Sequence, residues 1–131
     1  LPFLSTSILE TKKSLFEERS AEALIAEEDG EVVGYAVMFT NFSTFTGKKG
    51  MYLEDIRPFF RKKGYGKKLF AQVAQIALER DCGRMEWCCL DWNTPSINFY
   101  RKIGAVPMGE WTVYRMTPSK LKKLKETEQS V

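Results

Sequence analysis

Phe60–Phe70, FRKKGYGKKLF, is the stretch on which the reading of this chain turns. Gly64 and Gly66 stand one residue apart behind Arg61-Lys62-Lys63 and ahead of a helical run. The first N–H groups of a helix have no intrahelical partner, and the helix dipole places partial positive charge there. The glycines allow a tight turn and a close approach to the backbone, while Arg61, Lys62, Lys67 and Lys68 add full charges. Such a construction suits a phosphate group. The same residues also read as a turn with a solvated basic rim. A P-loop needs Lys-Ser/Thr after wider glycine spacing, and Lys68 is followed by Leu69; a dinucleotide fingerprint needs a third glycine that is absent.

Outward from this loop, Gly66 to Arg80 follows a helical period, with Leu69, Phe70, Val73, Ala74, Ile76, Ala77 and Leu78 forming a broad apolar face. Asp81-Cys82-Gly83 ends it, Gly83 serving as the expected left-handed cap. Upstream, Ala21–Glu28 and Glu31–Thr40 flank Asp29-Gly30, the signature of a tight hairpin. NFSTFTGKKG is expected as a polar loop, and MYLEDI as a strand stopped at Pro58. Thr6 to Arg19 is weakly helical.

Downstream, RMEWCCL reads as a strand buried on both faces, and TPSINFYRKIG as a short helix with Thr94 as N-cap, Pro95 in the first turn and Gly104 past its end. WTVYRM is a last strand, and TPSKLKKLKETEQ a capped helix fraying into a charged tail whose LKKLK reads as a solvated face. The order helix, β, β, β, helix, β, helix, β implies an α+β mixed sheet with helices packed on it, in one domain, 1–131.

The chain of 131 residues has no histidine, which excludes Ser-His-Asp and Cys-His nucleophilic systems and His-based metal sites. Acid–base work therefore falls to Asp, Glu, Tyr, Lys or Cys. A formal net charge of +3 suits a polyanionic ligand, and equally an ordinary solvated surface. Cys82, Cys88 and Cys89 are an odd number with two sequence neighbours, which points to reduced thiols, core positions and a cytoplasmic setting. No run of apolar residues is long enough to span a bilayer, and no nucleic-acid or membrane partner and no metal are expected.

Three motifs carry a resemblance. Arg61-Lys62-Lys63-Gly64-Tyr65-Gly66 fits the R/Q-x-x-G-x-G/A signature; WNTPSINFYRKIGA, Trp92 to Ala105, looks like a second hallmark; and YLED, Tyr52 to Asp55, is a third. Together, from about Ala21 to Met116, the chain resembles the GNAT superfamily of N-acetyltransferases, and within it the diamine (spermidine/spermine) branch. The resemblance implies the GNAT acyl-CoA N-acyltransferase fold and acetyl transfer from acetyl-CoA to a primary amine of a small polyamine or diamine. It places the coenzyme along the strand ending at Ile56-Arg57. The coenzyme's pyrophosphate then lies on the loop of Arg61, Lys62, Lys63, Gly64, Tyr65, Gly66 and Lys67, with Asn93 and Ser96 as further contacts. Tyr100 matches the tyrosine beside the coenzyme's sulfur, and a homodimer is expected.

An aliphatic amine must lose a proton before attacking a thioester; Glu54 or Asp55 suits its capture and deprotonation, through water. Tyr100, a phenol with an ordinary pKa near about 10, suits a donor to the departing thiolate, and an amide near Ile56 suits polarisation of the thioester carbonyl. Glu54, Asp55, Asp91, Trp92 and Glu110 form the expected amine slot. Asp91 and Glu110 read equally as surface carboxylates, and Tyr100 as core packing against Phe99. Two rival functions stay open: acetylation of another amine such as a thialysine-like amino acid, and a lapsed acyl-CoA-binding sensor. Relative to the family, a first strand and helix are expected to be missing before Leu1, and a couple of residues between Asp55 and Ile56 are absent.

Overall fold

The structure, a computed structural model, describes residues 13–59 and 64–129. The chain divides into two compact units, Leu1–Cys88 and Cys89–Val131. After a short π-helical turn at Lys13–Glu17, the first unit forms a four-stranded sheet in the order β1-β2-β3-β4, with β1 Glu22–Glu28, β2 Glu31–Ser43, β3 Lys48–Pro58 and β4 Met85–Glu86. The first two pairings are antiparallel and the last parallel. One long helix, α1, spans Tyr65–Glu79. Mixed strand directions with a crossover helix are the α+β architecture expected from the element order. Of the expected Thr6–Arg19 helix, residues 6–12 lie outside the described residues.

Asp29 and Gly30 turn the first hairpin with φ of 52° and 79°. That is the mirror-image geometry whose twist matches the strands. The second hairpin is longer than expected: Asn41-Phe42-Ser43 and Lys48-Lys49-Gly50 pair in the ladder, so the polar loop shrinks to residues 44–47. Turn chemistry resides only there, with Gly47 at φ 68° and the Thr46 amide donating to Ser43 Oγ at 3.3 Å. Of the polar residues now in the ladder, Lys48 and Lys49 meet solvent while Ser43 is buried.

The core sits between this sheet and α1. Pairing of Met38 with Leu53 and of Ala36 with Ile56 puts these side chains on one face. Leu69, Phe70, Val73 and Ala77 of α1 are buried, at helical spacing. Gly34 is where β2, the end of β3 and α1 converge: a Cβ there would lie 2.9 Å from the Arg57 carbonyl oxygen and 3.2 Å from Leu69 Cδ1.

Helix α1 ends differently from the expectation. Asp81, not Gly83, takes the left-handed position, at φ 56°. The Cys82 amide then reaches the Ala77 carbonyl at 2.9 Å and the Asp81 amide reaches Leu78 at 3.1 Å, which closes a Schellman motif. Aspartate is among the few residues besides glycine that enter this conformation readily, and its carboxylate here accepts from Lys48 Nζ at 3.0 Å. Gly83 serves close approach instead: its amide donates to the Lys49 carbonyl at 2.9 Å, and a Cβ would meet Thr46 Oγ1 at 3.0 Å.

Three further expectations are corrected. RMEWCCL contributes only the two-residue β4, half-buried rather than covered on both faces. Cys88 is exposed and Cys82 and Cys89 are half-buried, so none is a core residue; all three are free thiols. WTVYRM forms no strand and is exposed throughout, since β-prone residues pair only where a neighbouring strand accepts them.

The second unit contains α2, Thr94–Lys102, and α3, Pro118–Gln129. Asn93, not Thr94, caps α2 by accepting from the Ser96 amide at 3.4 Å. This shifts the expected cap by one residue and leaves Pro95 within the first turn, where its missing N–H costs nothing. Among the described residues no helix is long and apolar enough to cross a membrane.

Candidate active site

Strand β3 carries the acidic pair, and its register decides where each acid points. Asp55 pairs with Val37 and Leu53 with Met38, so Glu54 has no opposite residue and forms a β-bulge. Strict alternation from Met51 and Leu53 would direct Asp55 onto the α1 face and bury a carboxylate against Leu69 and Val73. The bulge moves Asp55 to the opposite face, where it is half-buried, and leaves Glu54 exposed. Asp55 there accepts a 2.9 Å hydrogen bond from the Tyr35 hydroxyl. Burial pushes the Tyr35 phenol up to about 12, aided by the Asp55 bond and charge and opposed by Arg57.

Tyr52 lies on the same face, its ring 5.1 Å from that of Phe39. Its hydroxyl is 2.9 Å from Cys88 Sγ. That bond, then burial, then the charges of Cys88, Glu54 and Glu86 push the phenol well above its usual range. Glu54, Asp55 and Glu86 thus lie along the middle of β3 and beside it. Arg84 pairs with Glu86 at 3.2 Å, and Arg57 acts on the Tyr35 phenol that binds Asp55. That leaves Glu54 as the exposed carboxylate suited to a cationic amine. Sequence reasoning singled out Glu54 and Asp55 and did not anticipate their neighbours Tyr35, Tyr52, Glu86 and Cys88. The one available signal was an aspartate at an inward-facing position of an otherwise alternating strand, which a regular ladder does not accept.

β4 pairs with β3 only at Met51–Met85 and Tyr52–Glu86. From Leu53 onward, β3 has no ladder partner on its β4 side among the described residues. That edge, which includes Ile56 and Arg57, is where the sequence placed an amide for a thioester carbonyl. Ile56 is half-buried and Arg57 exposed.

Strand β3 runs into the glycine loop. Phe59 donates its amide to the Val33 carbonyl at 2.9 Å, and α1 opens with Gly64 as N-cap at φ 76°, ψ 6°. The left-handed conformation explains Gly64, and no side chain caps the helix. Gly66 sits against Pro58, where a Cβ would come within 3.7 Å of Pro58 Cγ. Tyr65 is buried, its hydroxyl donating to Glu28 Oε2. Lys67 and Lys68 are exposed beside the helix start. Arg61, Lys62 and Lys63 lie outside the described residues.

In the second unit, Asn93, Ser96 and Tyr100 recur at three- and four-residue spacing along one face of α2. Asn93 caps the Ser96 amide, and the Ser96 side chain hydrogen-bonds the Tyr100 phenol. Burial raises the Tyr100 pKa, Cys89 adds to the rise and the Ser96 bond opposes it. The Tyr100 ring packs edge-on against Phe99 at 5.9 Å. Asp91, Trp92 and Glu110 are exposed, Trp92 at 76%.

The sequence model of the Acetyltransferase (GNAT) family matches residues 2–105, spanning the bulged strand, the glycine loop and α2. The chain belongs to the GNAT family. Among curated GNAT relatives, the L-ornithine N5-acetyltransferase NATA1 of Arabidopsis thaliana is 36% identical over 94% of this chain and 54% of its own length. The thialysine N-epsilon-acetyltransferase of Mus musculus is 36% identical over 71% of this chain and 57% of its own. The chain thus spans about half the length of these curated relatives. Of solved structures, an integron cassette protein from the mobile metagenome of V. cholerae superposes with a TM-score of 0.77 at 28% identity, covering 92% of this chain and 78% of its own.

Proposed function

We propose that this GNAT protein is an N-acetyltransferase that moves acetyl from acetyl-CoA to a primary amine of a small polyamine or diamine, within a ternary complex. The observation that carries the reading is the bulge at Glu54, which sets two carboxylates on the open part of a strand that precedes a glycine-capped helix start in the sequence. The residues of 1–131 act as one domain in this reading, in keeping with a family match that runs across the boundary of the two compact units.

In the mechanism, main-chain donors of Gly64–Lys67, with Arg61, Lys62 and Lys63, hold the coenzyme pyrophosphate, and Asn93 and Ser96 contact the coenzyme. Glu54 and Asp55 draw in the ammonium and accept its proton through water, Glu54 being the more accessible because Asp55 already binds Tyr35. The neutral amine attacks the thioester carbonyl, whose developing negative charge is met by an amide near Ile56. The tetrahedral intermediate collapses to the acetylated amine, and Tyr100 supplies a proton to the CoA thiolate. A phenol held above its ordinary pKa keeps that proton at neutral pH. Asp91, Trp92 and Glu110 complete the amine slot. No covalent enzyme intermediate is required, so the rate comes chiefly from holding both substrates in line.

A second reading, transfer to the side-chain amine of a diamino acid, is favoured by the names of the ornithine and thialysine acetyltransferases this chain resembles. Both substrate classes carry a terminal primary amine. CoA release measured against diamines, polyamines, ornithine, thialysine and peptide amines separates them. Fastest turnover with a diamine or polyamine supports the first reading, and fastest turnover with a diamino acid the second. Acetyl-CoA binding without turnover on any amine overturns both and leaves an acyl-CoA-binding module. A cytoplasmic homodimer completes the reading: the free thiols suit a reducing compartment, and sedimentation tests the dimer.

A further inference from the structure

Phe59 and Tyr65, the described residues on either side of positions 60–64, both bond to the β1–β2 hairpin. Upstream, the Phe59 amide donates to the Val33 carbonyl of β2 at 2.9 Å. Downstream, the Tyr65 hydroxyl donates to the Glu28 carboxylate, the last residue of β1. Both anchors therefore belong to the β1–β2 hairpin. Tyr65 is buried there, and beside it a hollow of about 350 Å³ between β1 and the first turns of α1 has Tyr65, Lys68 and Glu28 in its wall. The Tyr65–Glu28 bond joins two residues of that wall, at the first residue of the helix.

We propose that Glu28 is a positioning residue for the diphosphate of the coenzyme, acting through the Tyr65 phenol to fix the helix amides that receive it. The inference rests on the pyrophosphate-binding reading above. Charge alone predicts the opposite sign: Glu28 is an anion near a polyanion site, so neutralising it removes repulsion and tightens binding. Orientation predicts loss, since a hydrogen bond to a charged acceptor fixes the first helical turn in the geometry the diphosphate needs, and losing it costs about tenfold in affinity.

Titration of the full chain with CoA and with ADP, the diphosphate-bearing fragment, tests this in Glu28→Gln, Tyr65→Phe and the double variant. The expected result is about tenfold weaker binding of both ligands in each single variant, with the double variant no weaker than either. In steady state, KM for acetyl-CoA rises by the same factor while kcat at saturation is retained, a split that general loss of stability does not produce. Unchanged or tighter binding in Glu28→Gln overturns the proposal, as does parental affinity in Tyr65→Phe should the Glu28→Gln chain fail to fold. Gly64→Glu distinguishes the two levels. Parental CoA affinity in that variant defeats the pyrophosphate reading itself, whereas abolished binding there beside unaltered Glu28→Gln defeats only the role of Glu28.

Discussion

Tyr100 is half-buried, and its environment raises the phenol above its ordinary value while Ser96 holds it in place. A group in this state is protonated throughout the neutral range; a thiolate is a weaker base than its phenolate, so transfer to the departing sulfur is uphill and is completed as the phenolate regains a proton from solvent. Replacing it by phenylalanine keeps the ring packing on Phe99 and removes the proton. We expect Tyr100→Phe to lower kcat by about a hundredfold or more with coenzyme affinity retained, measured by CoA release beside calorimetric titration. Equal loss of affinity and turnover would instead mark Tyr100 as packing. On β3, Glu54→Gln and Asp55→Asn separate two acids that are adjacent in sequence and unlike in surroundings. Asp55 accepts from Tyr35, so its replacement disturbs a hydrogen bond as well as a charge, whereas Glu54 has no cross-strand partner. Glu54→Gln is expected to raise KM for the amine and lower kcat without shifting the melting temperature, and Asp55→Asn to lower the melting temperature too.

Among the elements, legibility followed the range of the forces involved. The Asp29-Gly30 hairpin and α1 were visible in the sequence because a turn and an amphipathic helix are written in neighbouring residues. The bulge at Glu54 was not, because it is fixed by counting residues against a second strand. The same holds for the Tyr35–Asp55, Tyr52–Cys88 and Tyr65–Glu28 pairs, whose members lie 20, 36 and 37 positions apart. WTVYRM misled for the converse reason, since propensity without a pairing partner specifies nothing. At Gly34 the close approach of β2, β3 and α1 leaves no room for a methyl group. Gly34→Ala is expected to destabilise the first unit by about 1–3 kcal/mol, seen as a lower denaturation midpoint; an unaltered midpoint would mean that the three elements separate freely.

Across the molecule, stability depends on pH at both ends of the scale. The Tyr35 phenol is raised from 10.0 to about 12, so its contribution is complete below 10 and is lost as pH climbs through about 12. Tyr52 shifts in the same direction. Melting temperature should therefore fall steeply over that alkaline interval, and Tyr35→Phe should flatten the fall. At the acid end the Arg80 hydrogen bond lowers the Glu22 pKa below 4.5, so that contribution is present above 4.5 and lost as pH drops. Both partners are well exposed, with side chains 36% and 47% accessible, and the acid effect is correspondingly small.

The bulge separates two demands that a regular ladder would force onto one position. Residue 54 contributes no rung to the sheet and has no left-handed backbone angle to satisfy, so any side chain except proline fits the scaffold equally well. A saturation library at this position should consequently yield chains of similar foldability whose turnover differs widely, highest where a carboxylate is kept. Activity can be lost or regained there by single codon changes without eroding the architecture.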